Sequence, residues 1–277
     1  MFLSPRLSPP RCARLEREYE MDDSLFSLDG KIALITGGNG GLGRAIALGF
    51  RDFGARVAVT GRDAAKNESV RQELGDADAV FELDVRDEDA VQETVARVEE
   101  RFGRLDILVN SARNARGGPL LSLSHADWDA VLDTHLTGSF LCAKHAARAM
   151  ITHQAGGKII NIGSIYSLFG PPECSDYAAA KTGVLGLTRA LAVELAQHNI
   201  QVNAILPGWF PTELTGFGPV TPFHEEMRRR TPAQRWGELE ELVGAAVLFA
   251  SRASSFITGA QIVVDGGLSV SDRLLHG

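Results

Sequence analysis

The chain alternates short, mainly apolar runs with longer segments in which apolar residues recur at helical spacing. The apolar runs fall at residues 31–36, 56–60, 79–83, 106–109, 158–162, 200–206 and 261–264. Short runs of this kind are typical of strands that are buried on both faces of a parallel sheet. The segments that predict helices fall at residues 44–53, 64–74, 87–102, 126–152, 176–198 and 238–250. This alternation predicts an α/β fold, in which right-handed crossovers place helices on both faces of a mostly parallel, seven-stranded sheet.

The amino-terminal residues do not continue this pattern. Residues 1–17 contain three prolines and four arginines but no continuous apolar core. A secretory signal needs such a core, and prolines oppose the amphipathic helix of a transit peptide. We therefore predict a disordered extension over residues 1–27 and a single domain over residues 28–277.

A glycine-rich turn follows the first predicted strand. Gly37, Gly41 and Gly43 stand between Thr36, which ends that strand, and a predicted helix. Glycine permits a tight turn, and the free backbone N–H groups at a helix N-terminus attract phosphate. A strand, a glycine turn and a helix in this order therefore predict a site for the pyrophosphate of a dinucleotide.

The end of the second predicted strand bears on the choice of cofactor. In this architecture an acidic residue there binds the 2′-hydroxyl of NAD, whereas an arginine favours the 2′-phosphate of NADP. Arg62 therefore favours NADP(H), and the neighbouring Asp63 adds an opposing negative charge. We predict NADP as the preferred cofactor and keep NAD as the alternative.

A tyrosine and a lysine four residues apart supply the candidate chemistry. Tyr177 and Lys181 share one face of a predicted helix. A phenol titrates near pH ~10, and a nearby ammonium group favours the phenolate and lowers that pKa. Tyr177 would then be suited to exchange protons with an alcohol–ketone couple. Ser164, which follows the apolar run at 158–162, can hydrogen-bond the substrate oxygen.

The glycine turn and the Tyr177/Lys181 pair together resemble the signature of the short-chain dehydrogenase/reductase family, over about residues 28–270. The resemblance implies a single, doubly wound Rossmann-type domain with Ser164, Tyr177 and Lys181 as catalytic residues. It also implies that Asp84 contacts the adenine and that Thr212 lies near the nicotinamide carboxamide. The complete set of implied cofactor-binding residues is Gly37, Asn39, Gly41, Leu42, Gly43, Arg62, Asp84, Val85, Asn110, Tyr177, Lys181, Pro207, Gly208, Phe210 and Thr212.

Two positions depart from the family pattern. Arg113 stands where the family has a glycine, and His135 stands where the family has a catalytic asparagine. That asparagine acts through its backbone carbonyl, which any residue provides, so we keep His135 as the fourth catalytic residue and expect it to titrate near neutrality. Arg116, with Arg113 as the alternative, is a candidate anchor for a substrate carboxylate. Trp209 is a further candidate substrate contact.

The favoured function is hydride transfer between NADP(H) or NAD(H) and a secondary alcohol or ketone, with a sugar acid or polyol as the best substrate class. Residues 230–237 resemble the corresponding segment of gluconate 5-dehydrogenase and 2-deoxygluconate 3-dehydrogenase members. A 3-oxoacyl thioester reductase is the alternative enzyme, because such enzymes have a related segment. A catalytically impaired cofactor-binding regulatory or scaffold protein is the alternative from another class, and it rests on Arg113 and His135.

The composition indicates which kinds of partner and compartment to expect. The 28 basic and 35 acidic residues give a net charge of −7, which argues against a nucleic-acid partner. Three widely spaced cysteines favour a reducing compartment, hence the cytoplasm. No apolar run is long enough for a membrane span, so we expect no membrane partner. The histidines lack the spacing of metal ligands, and we predict no metal site.

Small residues on the predicted helix at 176–198 bear on assembly. They are Ala178, Ala179, Ala180, Gly183 and Gly186. A face of small residues lets another helix pack closely, and in relatives of the resembled family this surface joins subunits. We therefore expect a homo-oligomer, either a dimer or a tetramer.

Overall fold

A computed structural model describes residues 23–114, 117–213, 215 and 221–271. Its strands are β1 Ile32–Thr36, β2 Arg56–Gly61, β3 Ala79–Glu82, β4 Ile107–Asn110, β5 Gly157–Ile162, β6 Ile200–Pro207 and β7 Gln261–Val264. They form one sheet in the order β3-β2-β1-β4-β5-β6-β7, and every neighbouring pair is parallel. The strand order reverses between β1 and β4, as a doubly wound sheet requires. The predicted α/β fold with seven parallel strands is confirmed.

The first strand shows why these runs are mainly apolar. All five residues of β1 are buried. Successive side chains of a strand point to opposite faces of the sheet, so Ala33 and Ile35 enter one hydrophobic core while Ile32 and Leu34 enter the other. Because both faces are covered, no position of the strand tolerates a solvated polar side chain.

Helices cover both faces of the sheet. They are α1 Gly41–Asp52, α2 Ala64–Leu74, α3 Glu88–Phe102, α4 His125–Leu132, α5 Gly138–His153, α6 Ser175–Leu195, α7 Pro222–Arg230 and α8 Val243–Ala250. The helices α1, α2 and α8 supply one core, and α3, α5 and α6 supply the other. Asp87 and Ser124 begin α3 and α4, and each side chain accepts a hydrogen bond from a backbone N–H three residues later.

The segment predicted as one helix over residues 126–152 is divided in the structure. A π-helical turn, Asp133–Thr137, connects α4 to α5 and buries Thr134 and His135. Gly138 follows directly and lies against Val85, where a Cβ atom would be 2.6 Å from the valine Cγ2. Single π turns of this kind occur frequently at functional sites.

A second difference concerns residues 222–230, where the sequence pattern predicts no helix. The structure has α7 in this segment. Thr221 caps this helix by accepting a hydrogen bond from the His224 N–H, and Pro222 stands in its first turn. Met227 is the buried residue of α7, so the helix lacks the apolar stripe by which helices are recognised.

The predicted amino-terminal extension stays a prediction, because residues 1–22 lie outside the described residues. Asp23–Phe26 form a short 3-10 helix. Leu28 is fully buried, and its N–H donates to the Phe53 carbonyl at 2.8 Å. Within the described ranges, none of the helices has both the length and the hydropathy that crossing a bilayer requires.

Candidate active site

Predicted site residues come together at the carboxyl end of the sheet. Gly37 follows β1, Asp84 lies beyond β3, Asn110 ends β4, Ser164 lies beyond β5 and Pro207 ends β6. Doubly wound folds bind their ligands at this edge. Two cavities open there, one of about 470 Å³ lined by Tyr177 and one of about 270 Å³ lined by Asp84. They are called the Tyr177 cavity and the Asp84 cavity below.

The glycine turn after β1 is held against the loop after β4. Thr36 Oγ1 accepts hydrogen bonds from the N–H groups of Ser111 and Ala112, each at 3.1 Å. Gly37 has φ +65°, and a Cβ atom there would lie 2.8 Å from the Ser111 carbonyl oxygen, so a side chain does not fit. At Gly43 a Cβ atom would lie 2.5 Å from the Gly37 carbonyl oxygen. The close turn leaves the backbone at the start of α1 open to a pyrophosphate.

Asp84 is oriented by Arg86, which is not among the predicted site residues. Arg86 grips the carboxylate with two hydrogen bonds, Nε to Oδ1 at 2.9 Å and Nη2 to Oδ2 at 2.6 Å. These contacts lower the pKa of Asp84. Arg62 lies 3.9 Å from the same carboxylate and keeps about half of its side chain exposed, at 49%. Val85 is buried beside this cavity.

The basic side chains of the Asp84 cavity fit a 2′-phosphate. Lys66 lines the cavity together with Arg62 and forms an ion pair with Glu213. The carboxylate of Asp63 caps α2 by accepting a hydrogen bond from the Lys66 N–H at 3.0 Å. The partial positive charge at the helix N-terminus therefore offsets part of the negative charge of Asp63. Asn39 lines the same cavity and contacts the end of β2 at Gly61. The residues present therefore fit an adenosine nucleotide that carries a 2′-phosphate.

The residues predicted as catalytic line one cavity. Ser164, Tyr177, Lys181 and His135 all contribute to the Tyr177 cavity. The side chain of Ser164 acts on the Tyr177 hydroxyl and lowers the pKa of this phenol. Lys181 Nζ donates to the Ile162 carbonyl at 2.6 Å and lies 5.6 Å from the centre of the Tyr177 ring. This arrangement can hold a proton on the phenol oxygen of Tyr177, next to the Ser164 hydroxyl and near the buried amine of Lys181.

The pKa values of this pair differ from the prediction. Desolvation raises the pKa of Tyr177 to about 12, against the opposing effects of the Ser164 hydrogen bond and the charge of Arg113. Desolvation also lowers the pKa of Lys181 to about 7. The prediction that Lys181 lowers the Tyr177 pKa is therefore wrong for this structure, since the opposing cation is Arg113. At neutral pH Tyr177 is therefore a protonated phenol.

His135 packs its imidazole edge-on against the Tyr177 ring, with ring centroids 5.1 Å apart. Its Nε2 atom is 3.2 Å from the Asn114 carbonyl oxygen, and its Nδ1 atom has no hydrogen-bond partner in the described part of the chain. Burial lowers the pKa of His135 well below its usual value, and the charge of Lys181 adds to this effect. The prediction that His135 titrates near neutrality is wrong, because the imidazole is neutral there.

Asn110 lies behind the cavity and ties the strands together. Its Nδ2 donates to Asn161 Oδ1 at 2.9 Å and to the Ser139 carbonyl at 3.2 Å. Asn161 in turn donates to Thr188 Oγ1 at 2.9 Å, which links β5 to α6. Ser139 Oγ donates to the His135 carbonyl at 2.7 Å. The His135 carbonyl, through which the fourth catalytic residue is expected to act, therefore already accepts one hydrogen bond.

The segment after β6 forms a second wall of the Tyr177 cavity. Predicted cofactor residues on this wall and opposite it are Leu42, Pro207, Gly208, Phe210 and Thr212. Thr212 is buried, and its N–H donates to Thr215 Oγ1 at 2.8 Å. Its hydroxyl accepts from Arg113 Nη1 at 3.1 Å. The loop after β4 and the segment after β6 thus meet at Thr212.

Aromatic side chains close the outer end of the Tyr177 cavity. Trp209 packs edge-on against Phe223 and Tyr166, with ring centroids 5.1 Å and 6.1 Å apart. Trp236 supports Trp209 from behind at 5.6 Å. Trp209 is a predicted substrate contact, whereas Tyr166, which lies only two residues after Ser164, is not among the predicted site residues. Arg116, the predicted carboxylate anchor, lies outside the described residues.

Comparisons with known proteins agree with this geometry. The family model described as "Enoyl-(Acyl carrier protein) reductase" matches residues 37–269. The chain is 42% identical to the gluconate 5-dehydrogenase of Gluconobacter oxydans (strain 621H), and the match covers 89% of this chain and 98% of the relative. It is 37% identical to the 3-oxoacyl-(acyl-carrier-protein) reductase of Thermotoga maritima, with 88% and 99% covered.

A solved structure is also similar over most of its length. It is a gluconate 5-dehydrogenase from Burkholderia cenocepacia J2315 in complex with NADP and tartrate. The sequence identity is 38%, the TM-score is 0.83, and the similarity covers 90% of this chain and 98% of the solved chain. The glycine turn and the cavities described above are thus found within a fold shared along nearly the whole domain.

Proposed function

The chain belongs to the short-chain dehydrogenase/reductase family, and we propose that it catalyses reversible hydride transfer between NADP(H) and a secondary hydroxyl or keto group of a sugar acid. The observation that carries the proposal is the grouping of Ser164, Tyr177 and Lys181 around one cavity, beside a second cavity with basic side chains. A relative that is 42% identical over most of its length is named gluconate 5-dehydrogenase.

In the proposed reaction Ser164 hydrogen-bonds the substrate oxygen, and Tyr177 exchanges a proton with that oxygen. When bound, the nicotinamide cofactor supplies or accepts the hydride. A phenol with a pKa of about 12 is protonated at neutral pH, so Tyr177 is suited to donate to a ketone. Arg113 favours the phenolate that remains, because its positive charge acts on Tyr177 in a desolvated site. Lys181 holds its buried amine 5.6 Å from the centre of the Tyr177 ring. His135 fixes the Tyr177 ring through its edge-on contact.

Two side chains support NADP as the preferred cofactor. Arg62 and Lys66 line the Asp84 cavity, and a phosphate with two negative charges is stabilised by both. The similar structure from Burkholderia cenocepacia contains NADP. NAD remains the alternative, because Asp63 and Asp84 also line this cavity and can accept hydrogen bonds from a ribose hydroxyl.

The charge of the Tyr177 cavity supports an acidic substrate. Its basic lining residues are Arg113 and Lys181, beside the neutral His135, and within the described ranges no aspartate or glutamate contributes to the lining. Such a cavity attracts anions. Arg116 is the proposed anchor of the substrate carboxylate, and Trp209 is the proposed contact for the carbon chain of the sugar acid. Tartrate, an acid with two hydroxyl groups, is bound in the similar solved structure.

A 3-oxoacyl thioester reductase is the second candidate. It is favoured by the 37% identity to a 3-oxoacyl-(acyl-carrier-protein) reductase and by the apolar character of Trp209, Phe223 and Tyr166. An acyl carrier protein would need an entrance wide enough for a phosphopantetheine arm. Turnover of an acetoacetyl thioester separates the two candidates.

We further propose that the enzyme is a homo-oligomer, a dimer or a tetramer, and that it acts in the cytoplasm. Ala179, Gly186 and Val193 form an exposed stripe on α6, which can pack closely against the same helix of a second copy. Other small residues of the predicted face point inward: Ala180 is buried, and a Cβ atom on Gly183 would lie 2.9 Å from Leu136. The cytoplasmic assignment rests on the few and widely spaced cysteines.

A substrate panel tests the proposed function. Purified enzyme is assayed by NAD(P)H absorbance with D-gluconate, 5-keto-D-gluconate, a polyol and an acetoacetyl thioester, each with both cofactors. We expect turnover of a sugar acid with NADP(H) and a much lower kcat/KM for the thioester. Turnover of the thioester alone would favour the second candidate. Tight cofactor binding without turnover of any compound would favour a regulatory or scaffold protein.

A further inference from the structure

Arg113 lies where the two cavities meet. It lines both the Tyr177 cavity and the Asp84 cavity, and no other described residue lines both. In the proposed function the cofactor has its nicotinamide in the first cavity and its adenosine in the second. The pyrophosphate, which connects these two halves, must therefore pass the place that Arg113 occupies.

The guanidinium group of Arg113 bridges the two walls of this passage. Its Nη1 donates to Thr212 Oγ1 at 3.1 Å. Its Nη2 lies 2.9 Å from the place where a Cβ atom on Gly41 would stand. The group therefore reaches from the segment after β6 to the glycine turn. Gly41 begins α1, so the free N–H groups at that helix start face the same space.

The contacts of the Arg113 guanidinium leave its positive charge available to an anion. The partner of Arg113 in the structure is a neutral hydroxyl, and within the described ranges no carboxylate forms an ion pair with its guanidinium. Glu213, the acidic residue whose charge acts on Arg113, forms an ion pair with Lys66. An arginine in a desolvated position with a neutral partner gains most from a phosphate, which it can bind through two parallel hydrogen bonds.

We propose that Arg113 binds the pyrophosphate of the cofactor, as a side-chain addition to the backbone N–H groups of the glycine turn. This inference rests on the proposed function for the identity of the cofactor, and it assigns to Arg113 a role other than that of a substrate anchor. The position of the guanidinium favours pyrophosphate binding over substrate anchoring. It lies against Gly41 and Thr212, whereas the substrate end of the Tyr177 cavity is marked by Ser164 and Trp209.

Two nucleotide fragments test the proposal by isothermal titration calorimetry. ADP-ribose contains the pyrophosphate but lacks the 2′-phosphate, and adenosine 2′-phosphate contains the 2′-phosphate but lacks the pyrophosphate. For Arg113→Gln we expect the Kd of ADP-ribose to rise about tenfold or more, since charge-assisted hydrogen bonds are lost. We expect the Kd of adenosine 2′-phosphate to change less than about twofold. Arg113→Lys, which keeps the charge but not the two-pronged geometry, should fall between wild type and Arg113→Gln.

Arg62→Gln is the matched control, because it removes an arginine from the other end of the cofactor site. It should weaken adenosine 2′-phosphate and leave ADP-ribose unchanged, the reverse of the Arg113 variants. Equal melting temperatures of the free proteins establish that the Arg113 variants fold. Unchanged ADP-ribose affinity in folded Arg113→Gln would overturn the proposal, and so would a rise only in the KM of a sugar acid. Failure of the substrate panel leaves the fragment result standing, so the two proposals fail separately.

Discussion

Replacing the buried lysine of the site should stabilise the protein while it abolishes activity. Lys181 is 5% exposed, and desolvation lowers its pKa from 10.5 to about 7. Each pH unit between the folded and unfolded pKa corresponds to about 1.4 kcal/mol. At pH 7 the burial of Lys181 therefore lowers the free energy of unfolding by about 4 kcal/mol, because this lysine stays protonated in the unfolded chain.

Lys181→Met removes this cost and one hydrogen bond. The Ile162 carbonyl loses its donor at 2.6 Å, and an unpaired buried carbonyl costs about 1–3 kcal/mol. The expected net change at pH 7 is a gain of roughly 2 kcal/mol in the free energy of unfolding. Urea unfolding of the cofactor-free protein, at one fixed protein concentration, measures this difference.

The pH dependence of the difference is the sharper measurement. Because the folded pKa lies below the unfolded pKa, the unfolded chain binds more protons between pH 7 and 10.5, and wild-type stability rises with pH in that window. The advantage of Lys181→Met is then complete below pH 7 and should fall by about 2 kcal/mol between pH 7 and pH 9. Lys144→Met, which removes a surface ion pair with Glu88, should change stability only slightly. A Lys181→Met protein that is less stable at pH 7, or an advantage that does not change with pH, would refute this reasoning.

Three further predictions concern the site and the assembly. Tyr177→Phe should lower kcat by about a thousandfold, since it removes the proton donor, while calorimetry finds the Kd of the cofactor unchanged; a kcat within tenfold of wild type would contradict the assigned role. Because the pKa of Tyr177 is raised to about 12, the fraction of phenolate grows with pH, and the rate of alcohol oxidation should increase from pH 7 to pH 10; a flat profile would argue against Tyr177 as the base. Gly186→Arg places a large cation on the exposed stripe of α6 and should reduce the molar mass measured by light scattering. Gln72→Arg on α2 is the control and should leave the molar mass unchanged. Equal molar masses of wild type and Gly186→Arg would exclude this stripe as the subunit contact.

The strands could be predicted from the sequence because their burial leaves a direct trace in it. Every residue of β1 is buried, and so is every residue of β6. A mainly apolar run is the consequence, which the sequence alone reveals. The two polar residues of β6, Gln201 and Asn203, are buried because their side chains hydrogen-bond to Asn199 and to the Ile257 carbonyl. The order of the site motifs along the chain then follows, because the carboxyl ends of parallel strands meet at one edge.

The π turn and α7 could not be predicted in this way. A π turn differs from an α-helix by one residue in its hydrogen-bond register, and here it coincides with the packing of Gly138 against Val85, a contact between distant parts of the chain. The residues of α7 are mostly charged, so a cap and a proline are its only local signals.

The electrostatics of the site needed the structure for a different reason. The sequence places Tyr177 and Lys181 on one helix face, which predicts a lowered phenol pKa. Desolvation works in the opposite direction, and its size depends on how deeply each group is buried. Arg113 is separated from Tyr177 by 64 positions in the numbering, yet it is the cation whose charge acts on the phenol. Spacing along the chain cannot reveal that contact.

His135→Asn separates a packing role from a proton-transfer role for the unusual residue of the π turn. The imidazole is 1% exposed and is kept neutral by burial and by the charge of Lys181. Its ionisation therefore makes no contribution to the rate between pH 6 and pH 8, and the kcat profiles of wild type and variant should have the same shape there. Asparagine is smaller, so the space left beside the Tyr177 ring should destabilise the protein by about 1–3 kcal/mol. A variant of normal stability whose pH profile is displaced would instead show that His135 exchanges protons during turnover.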